Sequence, residues 1–342
     1  MPTATPHHTS SNGLPLGGTP PTGTSQAAAQ SLVFTVLTPT YNRADVIGRT
    51  FDSLLAQDFQ SFEWLVIDDG SSDHTADVVQ ACAQRAIFPV RYIRQDNGHK
   101  KTAFNRGVRE ARGELLLVLD DDDELTPGTL VRLLDVWRSI PVAERDRYIG
   151  VTGLCARADG GIVGDRYPQD VMDCTATDMY FLHRVAGEKF GCQRTEVLRQ
   201  FPYPEDVPGF VPESMVWWAI ARAGYLNRFV NQVVRTYHQS AGSLSDTGTG
   251  MARHAAGLYL LNWLMVEHEL RYFRVSPGIF FKAAARVTRF RLGLSDTEAH
   301  VARTYPISHA GARLLVALMA PVGLLMHIRD RRLNAGGAKQ GE

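Results

Sequence analysis

The chain has 342 residues, enough for one large domain with appendages. Lysine and arginine number 36, as do aspartate and glutamate, and this balance argues against a dedicated nucleic-acid-binding protein, which usually carries a basic surplus. The four cysteines are scattered and form no CxxC pair, so neither a zinc site nor a disulfide framework is indicated and a reducing, cytosolic location is expected.

Residues 1–31 are predicted to be a disordered tail. They are mostly Thr, Pro, Ser, Gly and Ala, and they cannot bury enough apolar surface to offset the entropy of ordering. A basic segment followed by an apolar one is missing from this stretch, so a secretory signal is not expected.

Strands and helices are predicted to alternate from residue 32 onward. Buried strands are indicated by SLVFTVLTPTYNR, FEWLVIDDGSSD, FPVRYIRQ and ELLLVLDDDDEL. The intervening helices are predicted at ADVIGRTFDSLLAQ, HTADVVQACAQRA, KKTAFNRGVREAR and TPGTLVRLLDVWRSI, the last with Thr126 as its N-cap. This alternation predicts an α/β domain with a mostly parallel sheet.

Polar clusters follow all four predicted strands: TPTYNR, DDGSSD, QDNGHK and DDDDE. Each alone would be ordinary turn chemistry. Four on the edge where the carboxyl ends of parallel strands meet favour a ligand site. Of His99 and Lys100, which follow Asn97-Gly98, one is expected to contact phosphate.

The second half of the chain is predicted to be less regular and then helical. Strands are expected near residues 148–157 and 189–193, followed by the helix PESMVWWAIARAG and the strand LNRFVNQVVRTY. From about Met251 the chain is predicted to be helical, beginning with an amphipathic helix, HAAGLYLLNWLMVEHELRYF.

A final apolar stretch raises the question of membrane contact. Its uninterrupted part, residues 314–326, is shorter than the roughly 18–20 residues that span a bilayer, and Pro321 lies inside it. We expect this helix either to pack on the core or to lie in the membrane interface, and the sequence leaves both open.

The aspartates after the fourth strand predict a metal–diphosphate site. Hard cations such as Mg²⁺ and Mn²⁺ prefer carboxylate oxygens, and Mg²⁺ commonly completes its shell with phosphate oxygens. The first strand–helix turn carries neither a Walker A nor a GxGxxG pattern, which excludes the commonest NTPase and dinucleotide sites.

Residues 34–238 resemble a family 2 glycosyltransferase with the GT-A fold. The motifs that carry the resemblance occur in order: TPTYNR, VIDDGSSD, NGHKKTAFNRGVREARGELLLVLDDDDEL and VPESMVWWAIARAGY. The resemblance implies a GT-A-type mixed, mostly parallel sheet flanked by helices, with a C-terminal helical extension. The expected divisions are a glycosyltransferase domain at 32–245, a helical region at 246–334 and a flexible tail at 335–342.

The resemblance also implies residue roles. Thr38, Pro39 and Tyr41 would shape a uracil pocket, and Asp68 or Asp69 would hold the base or ribose. Lys101 or the nearby Asn97 would lie near the diphosphate or base. The substrate-binding residues implied are Thr38, Pro39, Tyr41, Arg43, Asp68, Asp69, Asn97, Lys101, Asp120 and Asp121. Asp122 and Asp123 would be the metal ligands, although four consecutive aspartates leave the register of the DxD motif open by one position. Glu213 is the expected general base; the family's second acidic motif is usually Glu-Asp and here reads Glu-Ser.

The implied activity is a metal-dependent, inverting transfer of sugar from a nucleotide-sugar, by resemblance a UDP-sugar, to a hydroxyl of a glycan or lipid-linked acceptor. A divalent cation, Mn²⁺ or Mg²⁺, would assist. The location would be cytoplasmic, at the cytoplasmic membrane face if the C-terminal helices make peripheral contact, and no nucleic-acid partner is expected.

Two alternatives remain open. A sugar-phosphate nucleotidyltransferase would carry a Gly-rich basic loop after the first strand, which TPTYNR lacks. A non-catalytic nucleotide-sugar-binding scaffold is favoured only by Ser214 in place of aspartate.

Overall fold

The computed structural model of the protein describes residues 32–238 and 254–337, with side chains up to residue 333. The predicted disordered tail at 1–31 lies outside the described residues, as do the predicted boundary between residues 245 and 246 and most of the predicted flexible tail.

The described residues form a chain of strands and helices that alternate through the first half. The strands are β1 Phe34–Thr40, β2 Phe62–Asp68, β3 Val90–Arg94, β4 Leu115–Val118, β5 Glu124–Leu125, β6 Tyr148–Ala156, β7 Val171–Cys174, β8 Lys189–Arg194 and β9 Leu226–Thr236. The helices are α1 Ile47–Leu55, α2 Thr75–Arg85, α3 His99–Glu110, α4 Thr129–Arg138, α5 Ala176–Phe181, α6 Thr195–Leu198, α7 Ser214–Arg222, α8 Ala255–His268, α9 Pro277–Arg291, α10 Ala299–Thr304 and α11 Ala310–Gly337.

The strands build one mixed sheet in the order β3-β2-β1-β4-β8-β6-β9-β5, with β7 beside β9. The first four strands pair in parallel, as β1 does with β2 and β4, and β2 with β3. Antiparallel pairing enters with β8, which opposes both β4 and β6. The predicted mixed α/β sheet with flanking helices is confirmed, and the antiparallel part comes from the less regular second half.

The parallel register brings the polar strand ends together. Thr40 lies opposite Asp68, and Asp68 lies opposite Arg94. Since parallel strands end at the same edge, the loops after β1, β2, β3 and β4 form one rim, where ligands bind in open α/β sheets.

Helices cover both faces of the sheet, so its central strands are apolar in nearly continuous runs. β1 and β2 are buried along their full lengths. One core packs α1, α2 and α4 against one face, around Phe51 and Trp64. The other core joins α3, α7, α8 and α9 through Phe104, Trp218 and Phe280. Fully burying one large apolar side chain of this kind contributes about 1.5–3 kcal/mol.

Four details differ from the sequence-based predictions. The predicted fourth strand is split, because the four aspartates turn the chain before β5 pairs with β9. Helix α4 begins at Thr129 rather than near Thr126, because the Thr126 hydroxyl donates to the Val233 carbonyl of β9 (3.1 Å) and Gly128 adopts a left-handed conformation.

The other two differences concern the C-terminal helices. Helix α8 is not amphipathic, because α7 and α9 pack around it and bury most of its residues, including Asn262. Pro321 lies inside α11 without ending it, so the apolar helix is longer than predicted.

Candidate active site

The four aspartates form a turn, residues 120–123, that is held from below by α1; we call it the acidic turn. The hydroxyl of Thr50, fully buried on α1, lies 2.9 Å from the carbonyl oxygens of both Asp121 and Asp123. Arg49 donates to the carbonyl oxygen of Asp122 at 3.2 Å. These contacts leave the backbone little freedom and fix which carboxylates face outward.

Two of the aspartates face inward. Asp123 is 1% exposed, accepts a hydrogen bond from the His238 backbone N–H at 2.9 Å and pairs with the guanidinium of Arg235 at 3.1 Å. Burial raises the pKa of Asp123 to about 7 despite the opposing charge of Arg235. Burial likewise raises the pKa of Asp121, whose carboxylate lies 3.6 Å from Arg43 Nε, to about 7.

Lys100 joins the acidic turn to the start of α7. Its ammonium lies 2.7 Å from a carboxylate oxygen of Asp120 and 3.8 Å from one of Glu213. Burial alone would raise the pKa of Asp120, but the charges of Lys100 and Arg235 hold that pKa below its usual value. The structure thus brings together Asp120 and Glu213, which were predicted from separate motifs, and the Lys100 ammonium lies between their carboxylates.

These groups line a cavity of about 810 Å³. Asp120, Asp122, Lys100 and Glu213 lie on its wall. Its aromatic lining residues include Phe104, Tyr180, Phe190, Tyr203, Phe210, Trp217, Trp218, Tyr225 and Tyr237. A concave site of this size, mostly apolar with a few convergent charges, is typical of ligand pockets.

Asp68 and Asp69, predicted to hold the base or ribose, are committed to the loops of the rim. The Asp68 carboxylate accepts from the Ser71 backbone N–H at 2.8 Å and from the Tyr92 hydroxyl. Asp69 accepts from Gln95 at 2.8 Å and from the Gly98 backbone N–H at 3.0 Å. Both carboxylates are nearly inaccessible. In this structure they organise the loops after β2 and β3.

The residues predicted from the first motif lie at different depths. Thr38, predicted to help shape a uracil pocket, is fully buried and accepts a hydrogen bond from Trp64 Nε1 at 3.0 Å. Pro39 is also buried at the end of β1. Tyr41, by contrast, is 49% exposed at the rim, and Arg43 reaches the acidic turn through Asp121.

Of the two adjacent lysines on α3, Lys100 faces the acidic turn. Lys101 lines the same cavity, but its ammonium is buried and donates to the Gly209 carbonyl oxygen at 3.0 Å. Asn97 is exposed and donates to the Asp69 carbonyl oxygen at 2.9 Å. Helical geometry separates the two lysines. Neighbouring residues on α3 point about 100° apart, so only one of two adjacent lysines can face the acidic turn.

The carboxylates fit a divalent cation only in part. Asp122 and Asp120 line the cavity, and one or two carboxylates are what Mg²⁺ commonly takes before phosphate oxygens and water complete its shell. Asp123 does not fit the predicted role of metal ligand, because its carboxylate is buried against Arg235. Among residues 32–238 and 254–333, no cluster of three or more His, Cys, Asp or Glu side chains is arranged to hold a metal alone.

Arg235 and Thr50 were missed by the sequence analysis. Arg235 is 4% exposed on β9, contacts Glu188 at 3.2 Å as well as Asp123, and lies over the ring of Phe190 at 5.1 Å. The available signal was an arginine near the end of a strand, directly after Val233 and Val234. Thr50 carried none, because threonine on a helix gives no indication of a tertiary role.

Comparison with known proteins identifies a matching family model, that of glycosyl transferase family 2, over residues 35–186. A curated relative from Campylobacter jejuni, a GalNAc(5)-diNAcBac-PP-undecaprenol beta-1,3-glucosyltransferase, is 26% identical over 270 residues, which cover 73% of this chain and 81% of that protein. Another relative shares 35% identity, but the chain covers only 33% of its length.

Two solved structures share the fold. Staphylococcus aureus TarS 1-349 in complex with UDP-GlcNAc superposes with a TM-score of 0.53 at 17% identity, over 88% of this chain and 92% of that one. The Pyrobaculum calidifontis mannosyltransferase PcManGT, in complex with GDP-Man and Mn²⁺, gives a TM-score of 0.51 at 19% identity and covers 87% of each chain. At these identities the likeness is one of fold.

Proposed function

We propose that this glycosyltransferase, whose residues 35–186 match the model of glycosyl transferase family 2, moves a sugar from a UDP-sugar to a hydroxyl of a lipid-linked glycan, with inversion. The observation that carries the proposal is the Asp120–Lys100–Glu213 constellation on the wall of the cavity. The UDP-GlcNAc in TarS supports the choice of nucleotide, and the undecaprenol-linked substrate named for the Campylobacter relative supports the acceptor class.

Glu213 is proposed as the general base. It precedes α7 at the cavity wall, and its side chain is 59% exposed, so an acceptor hydroxyl can reach it. Glu213 would take the hydroxyl proton while the acceptor oxygen attacks the anomeric carbon, and the bond from that carbon to the diphosphate would break with its electron pair leaving on phosphate oxygen. One displacement gives inversion.

Asp122, with Asp120, is proposed to hold a divalent cation together with the donor diphosphate. The cation, Mn²⁺ or Mg²⁺, would neutralise charge on the departing diphosphate; the Mn²⁺ named in the PcManGT complex supports this proposal. Lys100 supplies a further positive charge in reach of the same carboxylates. Tyr41 and Arg43 are the proposed contacts on the nucleotide side.

The domain limits and location are proposed in the same way. We infer a glycosyltransferase domain at 32–245 and a C-terminal helical region at 246–334 that brings the enzyme to the cytoplasmic membrane face. The exposed apolar surface of α11 supports that location.

The test is a thermal-shift titration with UDP, GDP and TDP, with and without Mn²⁺, on wild type, Asp122→Ala and the control Asp58→Ala. Asp58 is an exposed carboxylate outside the cavity. We expect UDP to raise Tm with Mn²⁺, because a ligand of the native state stabilises it by mass action. Asp122→Ala should abolish the rise and Asp58→Ala should keep it. Equal shifts in both variants, or none in wild type, would overturn the assignment.

A further inference from the structure

Helix α11 is fastened to α9 by its inner face. A side chain at Gly323 would come within 2.3 Å of the Ala285 carbonyl oxygen, so the two helices touch at the backbone there. The guanidinium of Arg289 holds the Asp330 carboxylate through two hydrogen bonds of 2.6 and 2.8 Å. These contacts fix which side of α11 faces away from the protein.

The outward side of α11 is apolar. Leu314, Leu318, Pro321, Leu325 and Ile328 follow one another at spacings of three or four residues, which places them on one helical face. Leu314, Leu318 and Leu325 are 74%, 65% and 67% exposed. A contiguous exposed apolar strip of this kind marks an interaction site rather than ordinary surface.

Cations surround this strip. The exposed basic residues at its ends and along its side are Lys282, Arg286, Arg313, Arg329, Arg331 and Arg332. Asp330, the one acidic residue in the sequence of α11, is paired with Arg289 and does not offset them. An apolar strip bordered by like charges would repel a second copy of itself, whereas it complements an anionic lipid surface.

Two of these basic residues, Lys282 and Arg286, indicate how α11 would be oriented relative to a bilayer. Within the described part of the chain, the helix at Ala310–Leu333 is long and apolar enough to cross a bilayer, and 17% of an apolar 18-residue stretch within it is buried. Lys282 and Arg286 of α9, however, border the groove beside Met319, Val322 and Met326, at the middle of α11. A spanning α11 would carry these charges into the hydrocarbon, which is costly, whereas a helix lying flat leaves them at the headgroups.

We propose that the outward face of α11 binds the boundary between headgroups and acyl chains of an anionic bilayer, lying in the membrane plane. This proposal deepens the membrane contact inferred above. It rests on the proposed function in one respect: membrane binding would hold the cavity close to a lipid-linked acceptor. Binding itself requires no sugar transfer.

The experiment is flotation of the full-length protein with vesicles of equal parts phosphatidylglycerol and phosphatidylcholine, and with phosphatidylcholine alone. We expect binding to the first that weakens as salt is raised. The double variant Leu318→Ser/Leu325→Ser should bind at least about tenfold more weakly, because two leucines lose their burial in lipid. The control Ile87→Ser, which removes an apolar side chain that is 66% exposed elsewhere, should bind as wild type.

Three outcomes would overturn the proposal: absence of vesicle binding, unchanged binding of the double variant, or a dimer that the double variant dissociates while vesicle binding persists. Resistance of the bound protein to alkaline carbonate would overturn the in-plane orientation. UDP-dependent thermal shifts, measured on the same variants, report on the proposed function separately and should not change.

Discussion

The ion pair beneath the acidic turn gives the sharpest stability prediction. Replacing Arg235 by methionine keeps much of the apolar volume but leaves Asp123, which is 1% exposed, with the His238 backbone N–H as its remaining partner among the described residues. Removing one partner of a buried pair costs about 3–5 kcal/mol. The Glu188 contact adds little, because Glu188 is half exposed. We therefore expect Arg235→Met to lower the free energy of unfolding by about 4 kcal/mol.

Urea denaturation at alkaline pH, well above the Asp123 pKa of about 7 so that its carboxylate is ionised, measures this loss. An unchanged m-value would show that the unfolded state is not the cause. The matched control is the double variant Arg235→Met/Asp123→Asn, in which no buried charge is left unpaired, since Glu188 is half exposed. It should recover at least about 2 kcal/mol relative to the sum of the single variants. A single-variant cost below about 1 kcal/mol, or simple additivity, would refute the reasoning that Arg235 neutralises a buried carboxylate.

Three further predictions concern the turn, the cation and a distant pair. Thr50→Val should cost about 1–2 kcal/mol in urea denaturation and weaken UDP binding in calorimetry, because the acidic turn loses its buried donor; equal UDP affinity would contradict that role. Lys100→Met should tighten Mn²⁺ binding without nucleotide by about fivefold in calorimetry, because the ammonium competes for its carboxylate partners; weaker binding would contradict this. Arg228 lowers the pKa of Asp173, so their contribution is present above pH 3.8 and lost as pH falls through the lower folded value. The Tm gap between wild type and Asp173→Asn should therefore close at acid pH, and a gap that is independent of pH would count against the pairing.

The parallel half of the sheet could be predicted because each local signal agreed with the others. β1 and β2 are buried on both faces, so their sequences are mostly apolar or β-branched, with the buried Glu63 as an exception. The turns that follow contain the expected Asp, Asn and Gly. The start of α4 was misplaced because Thr126, a good N-cap by type, bonds to β9 instead. That contact is tertiary, and local sequence carries no trace of it.

The candidate site, like the fold, could be predicted from the sequence only in part. The motifs indicated which loops meet, and the structure does bring Asp120 and Glu213 to one cavity. They did not indicate direction: Asp123 faces Arg235 rather than the cavity, and Lys100 rather than Lys101 faces the acidic turn. Which of several adjacent like residues faces a ligand depends on the exact turn and helix phase, and neither can be deduced from composition.

The most direct test of the proposed mechanism is sugar transfer by Glu213→Gln compared with wild type, using UDP-sugars and a polyprenyl-diphosphate-linked glycan, with UDP release and product mass as readouts. Glutamine keeps the size of the side chain but cannot accept the proton. The account predicts that transfer falls about 10²–10⁴-fold while UDP still raises Tm. Transfer by Glu213→Gln at the wild-type rate would contradict the assignment of Glu213 as the base.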